Sequence, residues 1–161
     1  FIIKSLGMVE EDIRPNLRII CDSQDSSYRD ELIKLSKAHR VICSFQQATG
    51  DLMPKIYNSA LLTVYAPIRE PLGLVPLESM ACGVPTVAVG EGGINETVKH
   101  GETGVLVERK TDQLADAITV LVKDSKKRSL IVKNGIENVN NKWTWEKSTQ
   151  MLEQHMLELL K

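Results

Sequence analysis

Five short apolar runs recur along the chain, at 17–21 (LRIIC), 40–45 (RVICSF), 60–67 (ALLTVYAP), 85–90 (PTVAVG) and 104–108 (GVLVE). Each is continuous instead of alternating and is bounded by turn-forming residues, the pattern of strands buried on both faces of a parallel sheet. The stretches between and after them carry apolar residues at helical spacing, over 28–38, 51–59, 76–82, 95–100 and 113–123. Strand and helix alternating at this rhythm predict βαβ units and an open α/β sheet covered by helices on both sides. After the last run the pattern turns helical only, with further helices expected over 126–140 and 145–160. The final helix carries an apolar stripe of Met151, Leu152, Met156 and Leu159, with His155 among them, that either packs on this domain or reaches toward a partner domain. Trp143 and Trp145 are expected in the core packing of that helix.

Length and composition narrow the class. The 161 residues suffice for one domain with its own core, and 42% hydrophobic with 25% charged residues is ordinary for a globular chain. Twenty basic and 21 acidic residues leave a formal charge of −1, so no long-range field draws nucleic acid or an anionic membrane surface. Any anionic ligand must be held by local geometry. Cys21, Cys43 and Cys82 are odd in number and sit in apolar surroundings, which predicts buried thiols over a disulfide framework or a zinc site and fits a reducing, cytoplasmic setting. No apolar stretch is long enough to span a bilayer. The opening "FIIKSLGMVEEDIRPN" lacks a methionine and starts directly on apolar residues, as a piece of a longer protein would.

In open α/β sheets ligands lie outside the carboxyl ends of the strands, which singles out three loops: "CSFQQATGD", "YAPIREPLGLVP" and "VGEGGINE". The second leads into a helix expected to begin near Val75. Pro76 suits the first turn, where its missing N–H costs nothing, and Gly73 permits a tight bend just before it. The unpaired N–H groups of such a start, with the positive end of the helix dipole, form an anion site near Gly73, Leu74 and Val75. Two glutamates bracket it. Glu78 is placed in the first turn, where a capping role is open to it; Glu70 precedes the helix and can equally be a solvated loop acid. Together, two acceptor-only carboxylates beside an anion site suit a ligand with hydroxyl groups on both sides of a phosphate, which describes a nucleotide sugar.

The stretch "REPLGLVPLESMACGVPTVAVGEGGINETVKHGETGVLV" resembles the donor-binding segment of GT-B fold glycosyltransferases, in the large retaining group (glycosyltransferase family four, glycosyl transferases group 1) that includes sucrose synthase. Glu70 and Glu78 meet the E-x7-E pair of that family. Gly92–Glu96 and Gly101–Val107 continue its pattern, and "WTWEKS" is similar to its segment that opens a C-terminal helix. The resemblance implies a Rossmann-like domain spanning 1–161, the C-terminal half of a GT-B enzyme whose N-terminal acceptor domain and first strand lie outside the chain. It assigns the catalytic part to Glu70, which would bind hydroxyls of the transferred sugar, and gives Glu78 the ribose hydroxyls. Backbone N–H groups around Leu72, Gly73, Leu74 and Val75 would receive the sugar and the distal phosphate. Ser44, Phe45 and Gln46 would lie in a loop near the nucleobase, although the family has a glycine where this chain has Ser44.

The reaction implied is transfer of a hexosyl unit, such as mannose or glucose, from a nucleotide sugar such as GDP-mannose or UDP-glucose to a hydroxyl of a sugar, lipid or other acceptor. It proceeds with retention and with no bound metal or other cofactor. An arginine and a lysine that stabilise the departing diphosphate follow the family's first strand, ahead of Phe1. Association at the membrane periphery would come through the N-terminal domain. The other reading is a nucleotide- or nucleotide-sugar-binding module without turnover of its own. "GEGGINE" places Asn95 where a dinucleotide fingerprint wants its last glycine, and it follows a late strand, so a nicotinamide cofactor is disfavoured. Gly92 and Gly93 are instead expected to let the chain pass close to the ligand, with Glu96 in the first turn of a short helix. His39, His100 and His155 are isolated and read as structural or solvent-facing.

Overall fold

The computed structural model describes residues 1–21 and 26–160. Its elements run α1 (Ile2–Met8), β1 (Leu17–Ile20), α2 (Ser26–Ala38), β2 (Cys43–Gln46), α3 (Met53–Asn58), β3 (Thr63–Tyr65), α4 (Leu74–Ala81), β4 (Thr86–Val89), α5 (Ile94–Thr97), β5 (Val105–Val107), α6 (Thr111–Lys123), α7 (Ser125–Lys142) and α8 (Trp145–Leu159). The expected alternation of strand and helix is present, and every strand pair is parallel. Pairing divides into two ladders, β1 with β2 and β3–β4–β5 in that order. Leu17 stands opposite Cys43 in the first, while Val64, Val87 and Val105 share a row across the second.

Both faces are covered, which is why the strands read as continuous apolar runs. Val64, Val87, Val105 and Val107 face a cluster built from Ile3 and Leu6 of α1 and Leu114, Ile118 and Leu121 of α6; Leu17 of β1 joins the same cluster, so one core serves both ladders. Tyr65, Ala88 and Leu106 face the other way, toward Leu77 and Met80 of α4, Ile94, Val98 and Trp143. The alternation of side-chain direction along each strand divides the two layers. β4 lies in the middle with all four residues buried. On the α4 side the helices meet at Gly135, where an added Cβ would come within 3.1 Å of Met80 Cγ, so a side chain there would require Met80 to shift by a few tenths of an ångström.

Several expectations need correction. The opening segment, for which the sequence predicts no element, forms a helix, α1, held by Arg14, whose guanidinium donates to the carbonyls of Val9, Gly7 and Arg40. The three cysteines are free but only half-buried, because each stands at the end of an element and not at its centre. Trp143 packs as expected, whereas Trp145 is 85% exposed, since α8 leaves the body as soon as it starts. No residue of α8 is buried, and its apolar stripe is uncovered among the described residues. No described helix is long and apolar enough to cross a membrane.

The central strand carries one internal defect. Thr86 is fully buried and its Oγ1 has no hydrogen-bond partner among the described residues. A hydroxyl stranded in an apolar core costs more than the methyl that could replace it. Thr86→Val is therefore expected to leave unfolding free energy unchanged or raise it by up to about 1 kcal/mol in denaturant titration. Leu114→Ala, at a fully buried site of the same core, should lower it by roughly 2–5 kcal/mol; a loss of similar size from Thr86→Val would mean that the hydroxyl has a partner.

Candidate functional site

The carboxyl ends of β3 and β4 hold the site. Gly73 caps α4 at φ 86°, ψ 61°, a left-handed conformation that a side chain would strain, and the helix begins at Leu74, one residue earlier than the sequence predicts. Pro76 is the third helical residue and does lie in the first turn. Glu78 is the fifth, so it stands in the second turn, out of reach of the cap, and the capping role is ruled out.

A tyrosine holds each glutamate. Tyr57 Oη donates to Glu78 Oε2 at 2.8 Å, and Tyr65 Oη donates to Glu70 Oε2 at 2.7 Å. The other oxygen of Glu70 accepts the Gly73 N–H at 2.9 Å and, at the longer distance of 3.4 Å, that of Leu72. These bonds, that from Tyr65 foremost and that from Gly73 next, hold the Glu70 carboxyl below its ordinary pKa. Burial, reinforced by the neighbouring carboxylate, pushes the Tyr65 phenol up to about 12 and raises that of Tyr57 as well. At neutral pH the site thus presents an ionised Glu70 beside neutral phenols. Such a group accepts hydrogen bonds from hydroxyls; it has no proton to give.

The backbone donors divide in consequence. Gly73 and Leu72 N–H groups, which the resemblance assigns to sugar and phosphate, are turned to Glu70, while those of Leu74 and Val75 have no protein acceptor among the described residues. The open anion position is therefore the first two residues of α4.

Gly92 and Gly93 have a structural reason to be glycine. A Cβ at Gly92 would fall 2.3 Å from the Glu70 carbonyl oxygen, and one at Gly93 would fall 2.1 Å from that of Pro71. Gly93 N–H donates to the Glu70 carbonyl at 3.0 Å. The glycines bring the β4–α5 loop against the backbone that carries Glu70. Glu96 sits in the first turn of α5 as expected. Ser44, Phe45 and Gln46 are not in a loop but in β2, paired with Arg18, Ile19 and Ile20, because the strand extends further toward its carboxyl end than its apolar run suggests. They form β2 up to its carboxyl end, and the Arg29 guanidinium lies over the Phe45 ring at 5.0 Å. His100 is structural, its Nδ1 accepting the Leu106 N–H.

Tyr57, Tyr65 and Arg109 are the site residues that sequence reasoning misses. Arg109 pairs with Glu91 through two hydrogen bonds, from Nε to Oε1 at 3.0 Å and from Nη2 to Oε2 at 2.7 Å. Each reads in the sequence as part of a strand end, a helix or a turn, and no spacing rule connects it with its partner. Among the described residues no three His, Cys, Asp or Glu side chains come together as a metal site would require.

Residues 1–138 match the family of glycosyl transferases group 1. The chain belongs to that family. A glycosyltransferase of Methanocaldococcus jannaschii, itself uncharacterized, is 30% identical over 148 residues, covering 91% of this chain and 38% of its own length. A Mycobacterium tuberculosis enzyme named as a GDP-mannose-dependent α-(1-6)-phosphatidylinositol monomannoside mannosyltransferase is 41% identical over 78 residues, 48% of this chain and 20% of that protein. The crystal structure of Anabaena HepE in complex with UDP-glucose superposes with a TM-score of 0.85 at 22% identity, covering 98% of this chain and 44% of that one. The fold is thus that of a GT-B glycosyltransferase domain, and this group 1 chain spans 38% of the length of the Methanocaldococcus relative and 20% of that of the mycobacterial one.

The Tyr65–Glu70 bond makes a pH prediction. Because the folded carboxyl titrates below its unfolded value, its contribution to stability is present above the ordinary carboxylate pKa of about 4.3 and is lost as pH falls through the lower folded value. Tyr65→Phe should move the Glu70 titration, followed by carboxyl-carbon NMR, up toward that ordinary value. An unmoved titration would mean that the Gly73 N–H alone sets it.

Proposed function

We propose that this chain is the donor-binding half of a retaining hexosyltransferase that moves mannose or glucose from a nucleotide sugar to an acceptor hydroxyl. The observation that carries the reading is the arrangement at α4: two carboxylates, each steadied by a tyrosine, on either side of a helix start with two unpaired N–H groups. Family membership supports it, as do the GDP-mannose dependence in the name of the mycobacterial relative and the UDP-glucose in the HepE complex.

In this reading Glu70 accepts hydroxyls of the transferred sugar and is the residue of the chain closest to the reacting carbon. Glu78 accepts the ribose hydroxyls through the oxygen that Tyr57 leaves open. Leu74 and Val75 N–H groups, at the positive end of α4, meet the diphosphate. When the glycosidic bond breaks, charge develops on the departing diphosphate, and oriented N–H donors stabilise it without having to reorganise. The bond that forms joins the same sugar carbon to the acceptor oxygen, on the face the nucleotide leaves, and the acceptor's hydroxyl proton departs with the nucleoside diphosphate. No metal takes part. Ser44, Phe45 and Gln46 lie toward the base. The acceptor, and further groups on the diphosphate, belong to the rest of the protein.

Calorimetric titration with UDP-glucose, GDP-mannose, UDP and GDP tests the division of labour. Glu78→Ala should weaken sugar donor and free nucleotide alike, on the order of tenfold, the worth of a hydrogen bond to a charged group. Glu70→Ala should weaken the sugar donor by a similar factor and leave the free nucleotide nearly untouched. Equal losses for both ligands in both variants would sink the assignment. Proton NMR of the first product formed by the full-length protein reads the anomeric configuration, for which retention is expected.

A further inference from the structure

We infer that Arg109 is a positioning residue for the donor loop, fixing where Glu70 stands by clamping the exits of β3 and β4 together. The inference rests on the reading of Glu70 as a ligand of the transferred sugar.

Arg109 lies in the turn between β5 and α6, remote in sequence from everything it holds. One edge of its guanidinium, Nε and Nη2, takes both carboxylate oxygens of Glu91 in the β4–α5 loop. Nη1 and Nη2 also donate to the carbonyls of Ala66 and Pro67, the two residues that follow β3. The Phe1 ring lies 5.7 Å from the guanidinium carbon. Four hydrogen bonds in two directions from one planar group are a task for arginine; an ammonium cannot reproduce the fork. The side chains of the pair are 29% and 42% exposed, so the pair is partly sheltered from the solvent screening that makes open surface pairs weak.

Both held segments lead to Glu70. Only Ile68 and Arg69 separate Pro67 from it, and Arg69 sits at φ 57°, a conformation that non-glycine residues keep only when their surroundings impose it. On the other side Gly92 and Gly93 follow Glu91 directly, and Gly93 N–H meets the Glu70 carbonyl. The Glu70 backbone is thus fixed from two sides by segments that Arg109 ties to each other. Arg109 acts through Glu70 and touches no substrate in this arrangement.

The test uses Arg109→Lys, which keeps the charge and loses the fork, and the milder Glu91→Gln, both in the full-length protein. Amide hydrogen exchange at Gly73 and Gly93 should quicken on the order of tenfold, while amides of β4 and α6 keep their protection. Affinity for UDP-glucose or GDP-mannose should fall by a similar factor with that for the free nucleotide diphosphate unchanged. In a Glu70→Ala background, Arg109→Lys should cost little more, because the two act through one contact. Unchanged exchange at Gly73 and Gly93, equal losses for donor and nucleotide, or additive losses in the double variant would each overturn the proposal. If the unsubstituted protein binds no nucleotide sugar, the donor reading itself fails, and the exchange rates alone decide whether Arg109 holds the loop. Should Arg109→Lys not fold, Glu91→Gln carries the same comparisons.

Discussion

The backbone at 92 and 93 lies against the backbone at 70 and 71 with no room for a side chain between them. Everything that gives the site its shape follows from that approach. It sets the two loops at the carboxyl ends of β3 and β4 side by side, lets Gly93 N–H satisfy the Glu70 carbonyl, and leaves the Glu70 side chain to turn back onto the start of α4. A Cβ at either glycine would push the loops apart by more than a flexible neighbour could absorb, because the atoms it meets are main-chain atoms. The left-handed Gly73 then completes the turn, and α4 starts with its first N–H groups facing outward.

The donors to the two carboxylates are neutral. Phenol O–H and backbone N–H groups hold Glu70 ionised, Glu78 likewise takes a phenol O–H, and among the described residues neither carboxylate has a cationic partner that would compete for a ligand's phosphates. Arg109, which ties the neighbouring loops, is spent on Glu91 and on main-chain carbonyls, and serves geometry more than field. In a chain with almost no net charge, the proposed selectivity for a polyhydroxylated anion would come from where donors and acceptors point.

Local signals made much of this legible in the sequence. The parallel sheet was readable because β4 and its neighbours are covered on both faces, so their apolar runs lack alternation. The helix start was readable from Gly73 and Pro76, and the two glutamates from their spacing around it. Long-range pairing left no such trace: Tyr57 and Glu78, or Arg109 and Glu91, come together only when the chain is folded. The exposed Trp145 shows the converse limit, since a large apolar residue at the head of a periodic helix reads as core until the direction of that helix is known. The helical opening α1 was missed because seven residues give too little periodicity to recognise.

The two ladders share a core but, among the described residues, no backbone hydrogen bond of a strand pair crosses from β1 to β3. Leu17, Leu62 and Val64 each pack against that shared core. Packed side chains resist separation without fixing a register in steps, as a ladder does. Ser44–Gln46 belong to one ladder, while Glu70 and Glu78 lie in the loop and helix that follow β3 of the other. With no strand-pair hydrogen bond between the ladders among the described residues, the spacing of these groups rests on side-chain packing in the shared core.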